Sequence, residues 1–165
     1  MNSDVAAAEA TIMAEYDRLC GALGIGKVAL DVYLANDAAD PVGGRSAAGV
    51  DLRHTDPCYS GHRRVLVIPL LLGDLEHVKT LQFPPIAWDK MSAEWPPWRI
   101  ELWHEVIHQY SDLVLGMWDS KEPGRRREDR SLSTTGHGAG WKAAIDEVAS
   151  KLGVRAEALD SLLDR

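Results

Sequence analysis

The pattern of apolar and polar residues predicts a helix followed by a strand at the start of the chain. Apolar residues recur every three or four positions and predict an amphipathic helix over residues 4–22, which Gly24 and Gly26 end. The apolar stripe of this helix comprises Ile12, Tyr16, Leu19 and Leu23. Residues 27–34 instead alternate between apolar and polar side chains, which is the period of a half-buried strand.

The middle of the chain carries signals for two further strands. Residues 47–53 are weakly patterned as a second strand, and residues 64–70 are apolar and β-branched enough to form a third that is buried on both faces. Pro69 lacks a backbone N–H, so it marks an edge or an end of that strand. Repeated prolines and tryptophans between residues 83 and 97 predict an irregular connection.

The second half of the chain is predicted to be helical. One helix spans residues 98–117, and a polar stretch over residues 119–136 predicts a mobile loop. Another helix begins near Ala139 and is capped by Gly153, and a short helix follows over residues 156–163. We therefore expect one α+β domain over residues 1–165, with a sheet of about three strands packed on the helix over residues 98–117.

Composition and charge narrow the possible partners. The 165 residues carry a formal net charge of −7, with 25 acids against 18 bases, so the surface should repel nucleic-acid phosphates. The run Arg125, Arg126 and Arg127 allows at most a local contact. Cys20 and Cys58 form no CxxC pair, and neither a leader nor a membrane span is evident, which favours a cytoplasmic protein without membrane association.

The sequence His104-Glu105-Val106-Ile107-His108 reads HExxH and lies in the predicted helix over residues 98–117. Residues four apart are separated by about 40° around a helix, so both histidines project from one face and can reach one metal. Glu105 lies beside that face, which suits a base acting on water at the metal. The alternative is a pair of exposed helix histidines. The apolar residues of this helix lie on an arc that excludes the three motif side chains. We expect this arc to pack against the core and the motif side chains to be free for chemistry. The arc comprises Ile100, Trp103, Val106, Ile107, Tyr110, Leu113 and Val114.

A catalytic zinc ion needs a third protein ligand and keeps one position open. The extended pattern HExxHxxGxxH is absent, because Ser111 and Val114 stand where its glycine and third histidine would fall. Asp146 and Glu147 are poor candidates for a carboxylate ligand, because they point away from the apolar side of the helix that begins near Ala139. His137, between two glycines, is the remaining candidate, and the alternative is an unliganded loop histidine in a flexible segment.

Other possible site residues carry weaker signals. His54, His62 and His77 show no paired spacing and are expected to be surface or loop residues. Tyr59 and Tyr110 could donate hydrogen bonds to an oxyanion, but Tyr110 falls on the packing arc and the sequence does not fix the position of Tyr59.

The segments LWHEVIH (102–108) and GHGAGWK (136–142) are similar to the SprT-like zinc metalloprotease family, which includes the Spartan DNA–protein crosslink proteases. In that family a helical HExxH is followed by a histidine in an HG segment that ends in a bulky aromatic, here Trp141. The resemblance implies a zincin-like metalloprotease in which His104, His108 and His137 bind Zn²⁺. It also implies that Glu105 is the general base for hydrolysis of a protein or peptide substrate. The interval between His108 and His137 is longer than is typical, with residues 121–130 as the apparent insertion.

Two alternative functions remain open. A regulatory peptidase resembling the ImmA/IrrE group would also use HExxH but would commonly take a carboxylate as its third ligand. A non-catalytic binding module would hold a structural metal or none.

Overall fold

The structure is a computed structural model that describes residues 3–35, 58–60, 64–71, 95, 97–117 and 137–164. The described residues form four helices and one small sheet, which is compatible with the predicted α+β class. The elements in chain order are α1 (Ser3–Leu23), β1 (Ala29–Ala35), β2 (Cys58–Ser60), β3 (Val65–Leu71), α2 (Pro97–Leu113), α3 (Ala139–Leu152) and α4 (Ala156–Leu163).

Helix α1 confirms the prediction from the apolar pattern. The four residues of the predicted stripe are all buried in the core: Ile12, Tyr16, Leu19 and Leu23. The helix ends where Gly24 adopts a left-handed conformation with φ of 68°. The N–H of Ile25 then donates to the carbonyl of Cys20 at 3.0 Å, and this Schellman-type ending directs the chain toward β1.

Strand β3 is the centre of the three-stranded sheet. It pairs in parallel with β1, from Ala29 opposite Val65 to Ala35 opposite Leu71, and antiparallel with β2. Its burial on both faces is confirmed, because the first four residues are at most 1% exposed: Val65, Leu66, Val67 and Ile68. The interpretation of Pro69 as an edge or an end of the strand is confirmed. Pro69 lies near the end of β3, opposite Tyr33 of β1 but beyond the residues that pair with β2.

The strand β2 was not predicted. It is only three residues long, so it cannot display an alternating pattern of its own, and its place is set by pairing with β3. The predicted strand over residues 47–53 and the predicted loop over residues 119–136 lie outside the described residues. So does most of the predicted connection over residues 83–97, of which Trp95 and Pro97 are described.

Helix α2 is shorter than predicted and more completely buried. It ends at Leu113 rather than near Met117, because the chain turns at Gly116, whose φ is 65°. Val114, placed on the predicted packing arc, is 47% exposed, whereas Glu105 is buried. The expectation that the motif side of α2 is free for chemistry is therefore wrong for Glu105, whereas His104 and His108 are only half-buried. The burial of Glu105 results from tertiary packing, because α2 contacts the sheet and all three other helices.

The helices α3 and α4 follow the predicted bounds. Four predicted stripe residues of α3 are buried: Trp141, Ile145, Val148 and Leu152. Gly153 ends α3 in the left-handed conformation, as predicted. Within the described ranges, every helix is too short or too polar to cross a bilayer.

A buried charge cluster joins α1 to α2. One carboxylate oxygen of Glu15 accepts hydrogen bonds from Arg99 at 2.7 Å and from the indole of Trp103 at 3.0 Å. The other oxygen accepts from Arg18 at 2.7 Å. The guanidinium of Arg99 also lies 4.0 Å from the centre of the Trp95 ring. Because Glu15 and Arg99 are almost fully buried, each depends on the other for compensation of its lost hydration.

We expect Glu15→Gln to lower the free energy of unfolding by about 3–5 kcal/mol, because it leaves the buried guanidinium of Arg99 without its counter-charge. Chemical denaturation of the metal-free protein measures this loss. Glu9→Gln is the matched control, since it makes the same change on α1 at a partly exposed residue. Equal stabilities of the two variants would contradict the prediction.

Candidate metal centre

Three histidines from two separate segments meet beside α2. His104 and His108 lie one turn apart on α2, and His137 lies two residues before α3. The Nε2 atom of His104 is 3.2 Å from Nε2 of His108 and 3.1 Å from Nε2 of His137. The structure thus brings together the three residues that the sequence singled out, and their ligating atoms all lie within 4.8 Å of one another.

Hydrogen bonds at the opposite ring nitrogens fix the orientation of two of these rings. Nδ1 of His104 lies 2.8 Å from the carbonyl oxygen of Leu163, and Nδ1 of His137 lies 2.8 Å from a carboxylate oxygen of Asp164. A carbonyl and an ionised carboxylate only accept hydrogen bonds, so Nδ1 carries the proton in both rings. In the neutral form of each ring, Nε2 then carries a lone pair.

The lone pairs of His104 and His137 face each other across 3.1 Å. Two acceptors at that distance repel unless a cation lies between them. Tetrahedral coordination with metal–nitrogen bonds near 2 Å separates neighbouring ligand nitrogens by about 3.3 Å. The two measured separations are close to this value, so the donor set fits a small divalent metal ion.

Trp141 forms one wall of the histidine cluster. Its ring stacks on His137, with centres 3.9 Å apart and planes 11° apart, and it also contacts the rings of His104 and His108. Its indole N–H donates to Asp160 on α4 at 2.9 Å. The stacked indole therefore shields the cluster from water and helps to hold His137 against α2.

Glu105 lies beside the cluster in a dry environment. It is 5% exposed, and its carboxyl accepts a hydrogen bond from the backbone N–H of Tyr59 on β2. The pKa of Glu105 is raised to about 8, mainly by burial, with the Tyr59 hydrogen bond lowering it and the charge of Glu101 raising it. The sequence placed Glu105 next to His104 but did not indicate that the sheet covers it.

The hydroxyl groups of Tyr59 and Tyr110 donate hydrogen bonds within the fold, rather than being placed as the oxyanion donors that the sequence allowed. The hydroxyl of Tyr59 donates to Asp112 at 2.8 Å, and the hydroxyl of Tyr110 donates to Glu147 at 2.8 Å. Each O–H proton is thus directed at a carboxylate within the fold. Tyr59 instead connects β2 to α2 twice, through its hydroxyl and through its backbone N–H at Glu105.

The sequence did not reveal that the end of α4 contributes to the site. Leu163 and Asp164 lie far from the HExxH motif along the chain, and neither belongs to a recognisable motif. Among the other residues considered from the sequence, His54, His62, His77 and the Arg125, Arg126 and Arg127 run lie outside the described residues.

Burial also shifts the titration of the histidines in the metal-free protein. The pKa of His104 is lowered to about 4 and that of His108 to about 3, from the ordinary value of 6.5, mainly because burial removes water from both rings. Neighbouring histidines contribute to both shifts, and the Leu163 carbonyl partly offsets the shift at His104. The imidazoles of His104 and His108 are therefore neutral at neutral pH, which is the form that binds metals.

These shifts predict that the metal-free protein is most stable near pH 6.5. As the pH falls below 6.5, the unfolded chain protonates its copies of His104 and His108 before the folded protein does, so stability is lost. Glu105 acts in the opposite direction between pH 4.5 and about 8, because the folded protein keeps its proton there. Below pH 6.5 the effect of the two histidines is larger than that of the one carboxyl, so stability rises with pH. Above pH 6.5 only the effect of Glu105 remains, so stability falls with pH.

Denaturation with a chelator present, repeated from pH 4.5 to 8, measures this profile. Glu105→Gln should remove the decline above pH 6.5 and leave the decline on the acid side. A free energy of unfolding that rises steadily to pH 8 in the unaltered protein would contradict the raised pKa of Glu105.

Comparisons with protein-family models, with curated proteins and with solved structures found no match to the chain.

Proposed function

We propose that the protein is a zinc-dependent metallopeptidase, zincin-like and related to the SprT-like family, that hydrolyses peptide bonds of a protein or peptide substrate. The observation that carries the proposal is the convergence of three imidazoles, two of which are oriented by hydrogen bonds at the ring nitrogens that face away from the cluster. His104 and His137 direct lone pairs at one point, and His108 lies on the same side of α2.

Zinc is the metal that this donor set favours. Neutral imidazoles suit Zn²⁺, and three protein ligands leave one coordination position open for chemistry. A bound Zn²⁺ would polarise the scissile carbonyl and lower the pKa of a water molecule for attack. A structural zinc site has four protein ligands as a rule, whereas the cluster among the described residues has three, which favours a catalytic role over a structural one.

Glu105 is the proposed general base. It follows His104 directly on α2, and its dry surroundings raise its pKa toward neutrality, where a base can both take up and release a proton. In the proposed reaction Glu105 accepts a proton from the attacking water and delivers it to the leaving amine. The cation at the histidines would counteract the upward shift of the Glu105 pKa and so favour its ionised, basic form.

The surroundings of His137 favour this proposal over an ImmA/IrrE-like site with a carboxylate ligand. Glu147 accepts the hydroxyl proton of Tyr110, and Asp146 is exposed to solvent. Among the described acidic residues, none lies within the cluster that could hold a metal. His137 takes that position instead and stacks on Trp141, the aromatic residue expected from the resemblance.

The proposed compartment is the cytoplasm, where the buried thiol of Cys20 would stay reduced. The proposed partner is the substrate itself, a protein or peptide. A local nucleic-acid contact through Arg125, Arg126 and Arg127 remains a separate hypothesis from the sequence.

The test combines metal analysis with a cleavage assay. We expect one zinc ion per purified chain and cleavage of fluorescently labelled casein that a chelator abolishes and added Zn²⁺ restores. An absence of zinc binding by the folded protein would contradict the metal site. Zinc binding without cleavage of casein or of a mixed peptide library would contradict the peptidase assignment alone.

A further inference from the structure

The end of α4 contacts two of the three histidines through consecutive residues. The Leu163 carbonyl accepts from His104, and the Asp164 carboxylate accepts from His137, each at 2.8 Å. These two contacts come from one short segment although their histidines lie on different parts of the chain. We call Leu163 and Asp164 together the α4 clamp.

Helix α4 depends on tertiary contacts for its position. It has eight residues, too few for a helix to be stable by itself in water. Leu159, Leu162 and Leu163 bury its apolar side, and Asp160 accepts the indole proton of Trp141. The two histidine contacts therefore add to a docking surface of three leucines and one hydrogen bond.

Asp164 has little role in packing. Its side chain is 58% exposed. Its carboxylate accepts a hydrogen bond from Nδ1 of His137, the ring nitrogen that faces away from the cluster. A carboxylate at that position fixes the tautomer of a histidine ligand, holds its ring orientation and increases the basicity of the nitrogen that binds metal. Removal of the carboxylate should therefore weaken metal binding without opening a cavity.

We propose that the α4 clamp positions His104 and His137 for the metal, so that docking of α4 and metal binding stabilise each other. Asp164 is a positioning residue for His137, and the Leu163 carbonyl has the same role for His104. The inference rests on the proposed metal site but not on peptidase activity. Since linkage is reciprocal, a metal that binds more tightly when α4 is docked must also hold α4 more firmly.

The first experiment measures Zn²⁺ affinity by competition with a chromophoric chelator. We expect Asp164→Ala to weaken binding about 10- to 100-fold. Asp146→Ala is the matched control, because it makes the same change at an exposed aspartate on α3 and should bind Zn²⁺ as the unaltered protein does. Asp164→Asn should fall between them, because its amide oxygen accepts the hydrogen bond without the charge.

Two further measurements separate positioning from general destabilisation. The metal-free Asp164→Ala protein should unfold at nearly the same denaturant concentration as the unaltered protein, because the hydrogen bond that it loses is exposed to solvent. The visible absorption spectrum of Co²⁺ bound to the site should nevertheless change in the variant, since the orientation of His137 is altered.

The second experiment follows amide hydrogen exchange in α4 with and without Zn²⁺. We expect Zn²⁺ to slow exchange in α4 of the unaltered protein by more than it does in Asp164→Ala, while the amides of α1 serve as the internal control. Equal Zn²⁺ affinity of the unaltered and Asp164→Ala proteins would overturn the inference, and so would α4 exchange that does not respond to Zn²⁺. Zinc binding that follows the prediction in a protein without peptidase activity would support the clamp while contradicting only the proposed catalysis.

Discussion

Glu105→Gln is expected to lower the rate of peptide hydrolysis about 10²- to 10⁴-fold while leaving Zn²⁺ bound. The amide has nearly the same shape as the carboxyl and can still accept the backbone hydrogen bond of Tyr59, so the fold should be retained. It cannot accept a proton from water, so the substitution removes the proposed general base. Initial rates of casein cleavage and the zinc content of the same sample measure both expectations.

The matched control for this prediction is Glu157→Gln on α4. It makes the same change of charge and shape at an exposed residue, and it should cleave casein at the unaltered rate. Unaltered activity of Glu105→Gln would remove Glu105 from the mechanism. Loss of zinc from Glu105→Gln would instead assign Glu105 to metal binding, contrary to its proposed role.

The parts of the site that lie within one helix could be predicted from the sequence. The relation between His104 and His108 depends only on the helical repeat, and local apolar spacing was sufficient to identify the helix. The same reasoning gave α1, α3 and α4 to within a few residues, because each carries a regular apolar stripe and two of them end at a left-handed glycine.

The burial of Glu105 could not be predicted in this way. A helical wheel identifies the apolar side of α2, but it does not show which other elements cover the polar side. Here β2 supplies the N–H that bonds the Glu105 carboxyl, and β2 has too few residues to be recognised before it pairs with β3. Similarly, the burial of Arg99 could not be predicted from α2 alone, because its counter-charge, Glu15, comes from a different helix.

The hydrogen bonds that Leu163 and Asp164 make to the histidines depend on tertiary structure even more strongly. Asp164 reaches His137 only because α4 packs against α2 and α3, with Leu159 and Leu163 in the core. No spacing in the sequence encodes a contact between residues 27 positions apart in different elements. The sequence therefore indicated the proposed ligands, and the fold adds the groups that orient them.

His137 is the residue on which the choice among the possible functions depends most. Its place in the sequence, between two glycines, left a ligand and an unliganded loop histidine equally open. In the structure its Nε2 lies 3.1 Å from that of His104, its ring stacks on Trp141, and its other nitrogen is held by Asp164. Such a ring is oriented before any metal binds, so it should contribute strongly to affinity.

We expect His137→Ala to weaken Zn²⁺ binding by about two to three orders of magnitude, since structural zinc sites gain about 10–16 kcal/mol from four ligands and one ligand accounts for about a quarter of that. Chelator competition measures the loss, and casein cleavage should disappear at zinc concentrations that saturate the unaltered protein. His77→Ala makes the same change at a histidine with no paired spacing and should retain both properties. Unaltered zinc affinity in His137→Ala would assign the third ligand to another residue, as an ImmA/IrrE-like site requires, and would contradict the SprT-like proposal.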